Sequence, residues 1–216
     1  MGILRIHKWP KNLLLFVPLM LNGPIAFSFE LLANGVIGFL SFSMCASSAY
    51  ILNDIIDRET DSVHPRNNSR PLPSKRLTIK AAWRLAALMF LGALAIGAAL
   101  PSRFLYALLV YIVITSIYTF LLKKILVLDV VALSAVHLLR IFAGGVVLNR
   151  TPSVRAAASF FFLFLAIGYS KRLEEIYALN QLGIPGVPGR PYGVHHLKAL
   201  FIGVLLNIVF FGACSL

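Results

Sequence analysis

The sequence predicts an all-α fold: a polytopic transmembrane helix bundle with about seven spans, forming a single domain over residues 1–216. Three observations predict it. The 216 residues are 59% hydrophobic and only 13% charged, whereas soluble domains are about half apolar and about a quarter charged. Mean hydropathy is +0.84. Uncharged runs recur along the chain, each near the ~20 residues that cross a hydrocarbon core. This composition leaves too little polar surface to cover a soluble domain, and it excludes disorder and coiled coil. The runs are too long and continuous for barrel strands, which leaves the helix as the backbone that satisfies its own hydrogen bonds in lipid.

The runs are 12–29, 31–53, 85–102, 104–122, 156–170 and 199–216, with a further apolar stretch, 125–149, interrupted by Asp129 and Arg140. The first follows a basic segment, Arg5, Lys8 and Lys11. A signal peptide also begins that way, but no small-residue cleavage site follows before Glu30, so the run reads as a retained helix. Position 6 is Ile6, without the hydroxyl that myristoylation prefers there. Run 156–170 is short and borrows flanking residues to span. Cys45 and Cys214 lie inside apolar stretches and read as small packing residues, with no disulfide or metal framework.

The net charge is +12. In a soluble chain a pI near 10.2 would suggest nucleic acid. In a membrane chain, lysine and arginine mark cytoplasmic loops. Sixteen of the 20 cations fall on one side of the alternating spans and three on the other, with Arg140 inside a span. The expectation is a cytoplasmic N-terminus, an outside C-terminus and residence in a bacterial inner membrane. Membrane lipids are the expected surroundings, and no nucleic-acid partner is expected. The polar segments 53–84, 123–129 and 170–198 then share the cytoplasmic face, where an active site would open.

Eight acidic residues serve the whole chain, and four of them, Asp54, Asp57, Glu59 and Asp61, end the second run. At 100° per residue, Asp54, Asp57 and Asp61 fall within about 60° of one another on one helical face, with Asn53 near Asp57. Like charges so placed repel and lose hydration beside an apolar bundle. A cation would relieve both costs. Oxygen ligands without His or Cys suit Mg²⁺, which bridges carboxylates to substrate phosphates. The alternative is a solvated helix end with Arg58 pairing Asp54. The following loop, His64 to Arg76, holds Arg66, Arg70, Lys75 and Arg76 and no acid. Its cations suit the remaining oxygens of a metal-bound diphosphate, or equally an anionic lipid surface.

Asn53-Asp54-x-x-Asp57-x-x-x-Asp61 followed by Arg70-Pro71-Leu72-Pro73-Ser74 resembles the first signature of the UbiA superfamily of intramembrane prenyltransferases. The resemblance runs from Arg5 to about Tyr192. It implies a UbiA-like helical bundle in which Asp54, Asp57 and Asp61 bind Mg²⁺ and the phosphate of a polyprenyl substrate, with the lipid tail in a bundle groove. Members that prenylate aromatic rings usually carry a second Asp-rich motif after the sixth helix. Here that region reads Ser170-Lys171-Arg172-Leu173-Glu174-Glu175, without aspartate. This departure resembles the branch containing decaprenyl-phosphate phosphoribosyltransferases. Three more segments agree: Leu4-Arg5-x-His7-Lys8-Trp9-x-Lys11-Asn12, Leu128-Asp129 after Tyr118 and Lys123, and Leu139-Arg140-x-x-Ala143-Gly144-Gly145.

What that branch implies is transfer of phosphoribosyl from phosphoribosyl diphosphate, the phosphorylated small-molecule co-substrate, to a polyprenyl phosphate. The implied catalytic residues are Asp54, Asp57, Lys171 and Arg172. The implied substrate-binding residues are Lys11, Asn53, Arg70, Lys123, Asp129, Arg140 and Glu174. Cations in place of a second carboxylate pair suit two phosphorylated substrates. Glu174 could orient a ribose hydroxyl or Lys171, and Lys171 with Glu175 also reads as a surface i,i+4 pair.

Asp129 and Arg140 share a helical face to within about 20°, but about 16 Å of rise separates them, too far for a direct pair. Ionisable residues at membrane depth face a bundle interior, lining a site or partnering other helices. His137 reads as a packing or hydrogen-bonding residue. Segment 180–196 is a Gly/Pro loop whose Arg190 and Tyr192 suit a lid or a linker. Two rival functions stay open: an aromatic prenyltransferase of quinone or haem biosynthesis, and a non-enzymatic transporter. The chain ends at Leu216 inside an apolar run, and members of the family usually have more spans, so a C-terminally incomplete bundle is one expectation.

Overall fold

A computed structural model describes residues 2–21, 28–65, 67–184 and 186–215. The elements in order are a 3₁₀ helix Ile6–Phe16, α1 Val17–Leu21, α2 Phe29–Ile56, α3 Arg58–Val63, α4 Ile79–Gly97, α5 Ser102–Phe120, α6 Leu128–Val147, α7 Val154–Asn180 and α8 Leu197–Ser215. Two short 3₁₀ turns, Leu122–Lys124 and Val194–His196, precede α6 and α8. The expected all-α class holds. Six helices among the described residues are long and apolar enough to cross a membrane. The first expected span, 12–29, differs from a plain α-helix. It begins as the 3₁₀ helix, with Pro10 inside, and continues into α1, while 22–27 lie outside the described residues. The short run 156–170 is the N-terminal part of the 27-residue α7, which continues through Lys171 and Glu175 to Asn180. That stretch was expected as a polar segment outside the span.

The chain, expected as one domain, divides into two compact units. The first comprises 1–119 and 139–152, and the second 120–138 and 153–216. No linker or change of composition marks the division. Helix α6 contributes its first half to the second unit and its second half to the first.

In the first unit, α2 and α4 pack through small residues. Ser41, Ser43, Cys45, Ala46, Ser47, Ser48 and Ala49 of α2 are all buried. Without a hydrophobic drive in lipid, close backbone approach and interhelical hydrogen bonds hold such pairs. Ser41 Oγ donates to the Ala93 carbonyl at 2.7 Å and Ser48 Oγ to the Ala86 carbonyl at 2.9 Å. Two other serines, on a different side of α2, anchor the 3₁₀ segment. Trp9 Nε1 donates to Ser47 Oγ at 3.0 Å, and Asn12 Nδ2 to Ser43 Oγ at 2.9 Å.

The 3₁₀ backbone also lies against Gly144 of α6, where an added Cβ would meet the Leu15 carbonyl oxygen at 1.9 Å. Gly144→Ala is therefore expected to destabilise the chain by about 1–3 kcal/mol, the usual cost of overpacking. Thermal unfolding in detergent measures this. Gly212→Ala, where nothing lies within 4 Å, is expected to leave the transition unchanged.

In the second unit, α7 and α8 pair over a core of Val130, Leu165, Ile176, Leu179, Val187, Tyr192 and Leu200. Phe162 stacks on Phe210 with centroids 5.1 Å apart. The outer side of α8, including Phe201, Leu205 and Val209, is exposed apolar surface, as a lipid-facing helix requires.

Candidate active site

Each unit contains one polar cluster built around a buried aspartate. In the first unit, α2 ends at Ile56 and Asp57 is a single turn residue before α3. The break is slight, because Asp61 N still donates to the Asp57 carbonyl at 2.7 Å. It nonetheless separates the three expected ligands. Asp54 is 1% exposed and Asp61 5%. Arg70 Nη1 lies 2.5 Å from Asp61 Oδ2 and 3.4 Å from Asp54 Oδ1. Asn67 Nδ2 donates to the other oxygen of Asp61 at 2.8 Å. Asp57 instead accepts from Asn53 Nδ2 at 3.0 Å, and Asn53 in turn accepts from Thr119 Oγ1 at 3.3 Å.

The second cation at Asp54 is Arg5, which forms a salt bridge with Oδ1 and stacks 5.5 Å over Tyr50. Arg5 holds a left-handed backbone, φ 49°, uncommon for a residue with a side chain. Arg58, the alternative partner for Asp54, lies against Glu59 at 3.3 Å instead. A buried carboxylate charge persists only when paired. Here Arg5 and Arg70 supply the pairing, and Arg70 joins two carboxylates as a bridging cation would.

These residues fit a hard divalent ion in their chemistry. The donors are carboxylate and amide oxygens, two of the carboxylates already share one positive partner, and both are withdrawn from solvent. Among the described residues, no three His, Cys, Asp or Glu side chains stand close enough to enclose a metal unaided. A Mg²⁺ held by Asp54 and Asp61 would need waters and phosphate oxygens to complete its shell.

In the second unit, Asp129 opens α6 and is fully buried. Arg172 grips it with both ends of its fork: Nε to Oδ2 at 2.7 Å and Nη2 to Oδ1 at 3.3 Å. Arg190, from the Gly/Pro loop, reaches Asp129 Oδ1 at 2.6 Å. Glu175 takes the remaining Arg172 nitrogen at 2.5 Å, so Glu175 pairs at i,i+3 with the buried Arg172 rather than at i,i+4 with the exposed Lys171. Tyr192 is buried under this cluster, its ring 5.8 Å from the Arg172 guanidinium. Burial, then the Asp129 charge, push its phenol up to about 12. It therefore keeps its proton at neutral pH and can act only as a donor to an anion. Val127, two residues before Asp129, has φ 68°, a strained conformation for a β-branched residue that surrounding structure must hold.

Other expected site residues fall as follows. Lys171 and Glu174 are exposed on α7, Lys123 is buried and Lys11 is half-buried. Arg140 is 2% exposed. Its Nε donates to Asn12 Oδ1 at 2.9 Å, its Nη2 to Tyr111 Oη at 3.1 Å, and Phe42 and Tyr111 flank it. Of the two roles expected for it, partnering other helices matches these contacts. Arg5, Asn67, Glu175 and Arg190 are cluster members that motif spacing did not single out as site residues. Arg5 could have been found in the basic segment at the chain start, and Arg190 and Tyr192 as the polar residues of the Gly/Pro loop.

Residues 13–216 match the model of the UbiA prenyltransferase family. The chain belongs to that family and is an integral membrane protein. It is 39% identical over 182 residues to protein y4nM of Sinorhizobium fredii, covering 82% of this chain and 34% of that one. It is 33% identical to nodulation protein NoeC of Azorhizobium caulinodans, covering 91% and 64%. Its likeness to the phosphoribosyltransferase branch is seen with the decaprenyl-phosphate phosphoribosyltransferase of Mycolicibacterium smegmatis, at 33% identity over 83% of this chain and 57% of that one. The chain thus spans between a third and two thirds of the length of these relatives. Its fold is that of a UbiA homolog from Archaeoglobus fulgidus solved bound to GPP and Mg²⁺, with TM-score 0.77, 21% identity and coverage of 98% of this chain and 76% of that one.

Proposed function

We propose that this chain is a Mg²⁺-dependent intramembrane transferase acting on a polyprenyl phosphate, and that it transfers phosphoribosyl from phosphoribosyl diphosphate to that lipid. The observation that carries the proposal is Arg172. Where ring-prenylating members usually place aspartates, this helix places an arginine that is buried and held bidentate by Asp129. It is a built member of the second unit's polar cluster rather than a solvated surface charge. A second metal-binding carboxylate pair suits a diphosphate alone, whereas cations suit a reaction in which both partners are phosphorylated.

Asp54 and Asp61, the two carboxylates that Arg70 joins, would hold the metal, while Asp57 rests on Asn53 beside them. Mg²⁺, when bound, supplies positive charge to the diphosphate and makes it a better leaving group. Arg70 and Arg5 are placed to take the remaining oxygens as their negative charge grows. In the balanced reaction, a phosphate oxygen of the lipid bonds to C1 of ribose, and the C1–O bond to diphosphate breaks with its electron pair leaving on diphosphate. Lys171 and Arg172 offset phosphate charge, and Tyr192 is a protonated donor. The protein's contribution is positioning and fixed charge. In this reading the chemistry takes place on the cytoplasmic face of a bacterial inner membrane, which the bias of lysine and arginine toward one set of loops supports.

A binding experiment tests the reading. Phosphoribosyl diphosphate with Mg²⁺ is expected to raise the melting temperature of the purified chain by a few degrees, and EDTA is expected to remove the effect. Stabilisation by a phenolic acid with none by phosphoribosyl diphosphate would contradict it.

A further inference from the structure

Behind the carboxylate motif lies a cavity of about 450 Å³ that the reaction above does not use. Its polar wall comes from Arg58, Glu59 and Ser62 of α3 and Lys75 of the loop, and its apolar wall from Leu72, Leu77 and Ile79. On α3, Arg58 and Ser62 turn toward the cavity, while Asp61 lies on another side of the helix and faces Arg70. The loop is divided the same way. Arg70 reaches the carboxylates, Leu72 is buried, and Lys75 lines the cavity.

The charges of the cavity do not balance. Arg58 is met by Glu59 at 3.3 Å. Lys75 has no carboxylate within ion-pair distance among the described residues, although its backbone is held in the left-handed region at φ 57°. Its neighbour Arg76, by contrast, is tied to Ser74 and the Ser69 carbonyl. The cavity therefore presents an unneutralised ammonium beside an apolar wall.

Its depth follows from α4. Thr78 caps that helix and Ile79 begins it, and both line the cavity. Trp83, one turn further, is half-exposed, the position of an aromatic ring at a membrane–water interface. Lys80 and Arg84 flank it on the surface. The start of a membrane-spanning helix and an interfacial tryptophan together put the cavity at headgroup level.

We infer that this cavity is a binding site for the headgroup of an anionic glycerophospholipid: its phosphate lies on Lys75 and Arg58 and its glycerol and first acyl carbons lie on Leu72, Leu77 and Ile79. Because the same short segment carries Asp61, Arg70 and Lys75, an occupied cavity fixes the elements that hold Asp54 and Asp61. The site needs no property of the proposed reaction and stands whether or not phosphoribosyl is transferred.

The test is lipid retention. The full chain is reconstituted in nanodiscs of phosphatidylcholine with phosphatidylglycerol, extracted mildly and analysed by native mass spectrometry. One phosphatidylglycerol is expected to remain bound in preference to phosphatidylcholine. Lys75→Gln is expected to lower that retention about fivefold, the factor one basic side chain contributes to anionic-headgroup attraction. Lys75→Arg is expected to restore it, and Lys124→Gln, an exposed cation elsewhere, to leave it unchanged. Equal retention by the wild type and Lys75→Gln would overturn the inference. So would displacement of the lipid by millimolar inorganic phosphate, which would identify a site for a free anion.

Discussion

Asp54→Asn is expected to lower turnover by about a thousandfold or more, on the scale of losing a principal electrostatic group in a buried site. The side chain is 1% exposed and serves both Arg5 and Arg70. Asparagine keeps its size but removes the charge. Two guanidiniums then lose their shared counter-ion, and a bound metal would lose an anionic ligand. The assay is Mg²⁺-dependent turnover of the purified chain, with the melting temperature recorded in parallel. A metal role makes the loss resistant to saturating substrate and alters the Mg²⁺ concentration dependence of what remains. Asp57→Asn in the same background is expected to add little, since Asp57 rests on Asn53. Retained turnover in the double variant would sink the metal assignment.

Arg172→Gln is expected to have the second largest effect. It leaves the fully buried Asp129 with Arg190 as its remaining arginine partner. Breaking a buried pair by removing one member costs about 3–5 kcal/mol. Arg172→Lys is expected to rescue little, because an ammonium cannot reproduce the two-pronged contact of 2.7 and 3.3 Å. The paired change Arg172→Met with Asp129→Leu separates structure from function. It is expected to recover part of the stability, because the fully buried carboxylate is gone and only the more exposed Arg190 and Glu175 lose a partner, while activity stays low. Recovery of activity with stability would reduce Arg172 to a structural residue.

The bundle was legible because membrane helices state their length in uncharged residues. The runs 31–53 and 199–216 lie within or nearly within α2 and α8. The nearness of Asp54 to Asp61 was legible from helical periodicity, and it survived the turn at Asp57 because the i to i+4 bonds continue through it. The 3₁₀ geometry of Ile6–Phe16 was not legible. Pro10 removes one donor, but the tighter winding is accompanied by contacts with Gly144, Ser43 and Ser47, residues far off in sequence. The Arg5–Asp54 bridge is likewise hidden, because 49 positions separate the partners.

The end of α7 misled for a different reason. Its charge suggested a solvated segment, yet Arg172, Ile176 and Leu179 recur at i, i+4 and i+7 and are all buried. That stripe was readable, and Arg172 belongs to it as the polar member that meets Asp129. The division into two units could not be read at all, since it falls within the continuous helix α6 and depends on packing alone.

The most direct measurement of the central claim is group transfer itself. The purified chain, with Mg²⁺ and a polyprenyl phosphate, is incubated with phosphoribosyl diphosphate labelled in the ribose, and the lipid fraction is analysed. The account requires label in a polyprenyl phosphate product, stoichiometric release of diphosphate and loss of both on chelation of the metal. An unlabelled lipid fraction, together with prenylation of a phenolic acid by the same preparation, would contradict it.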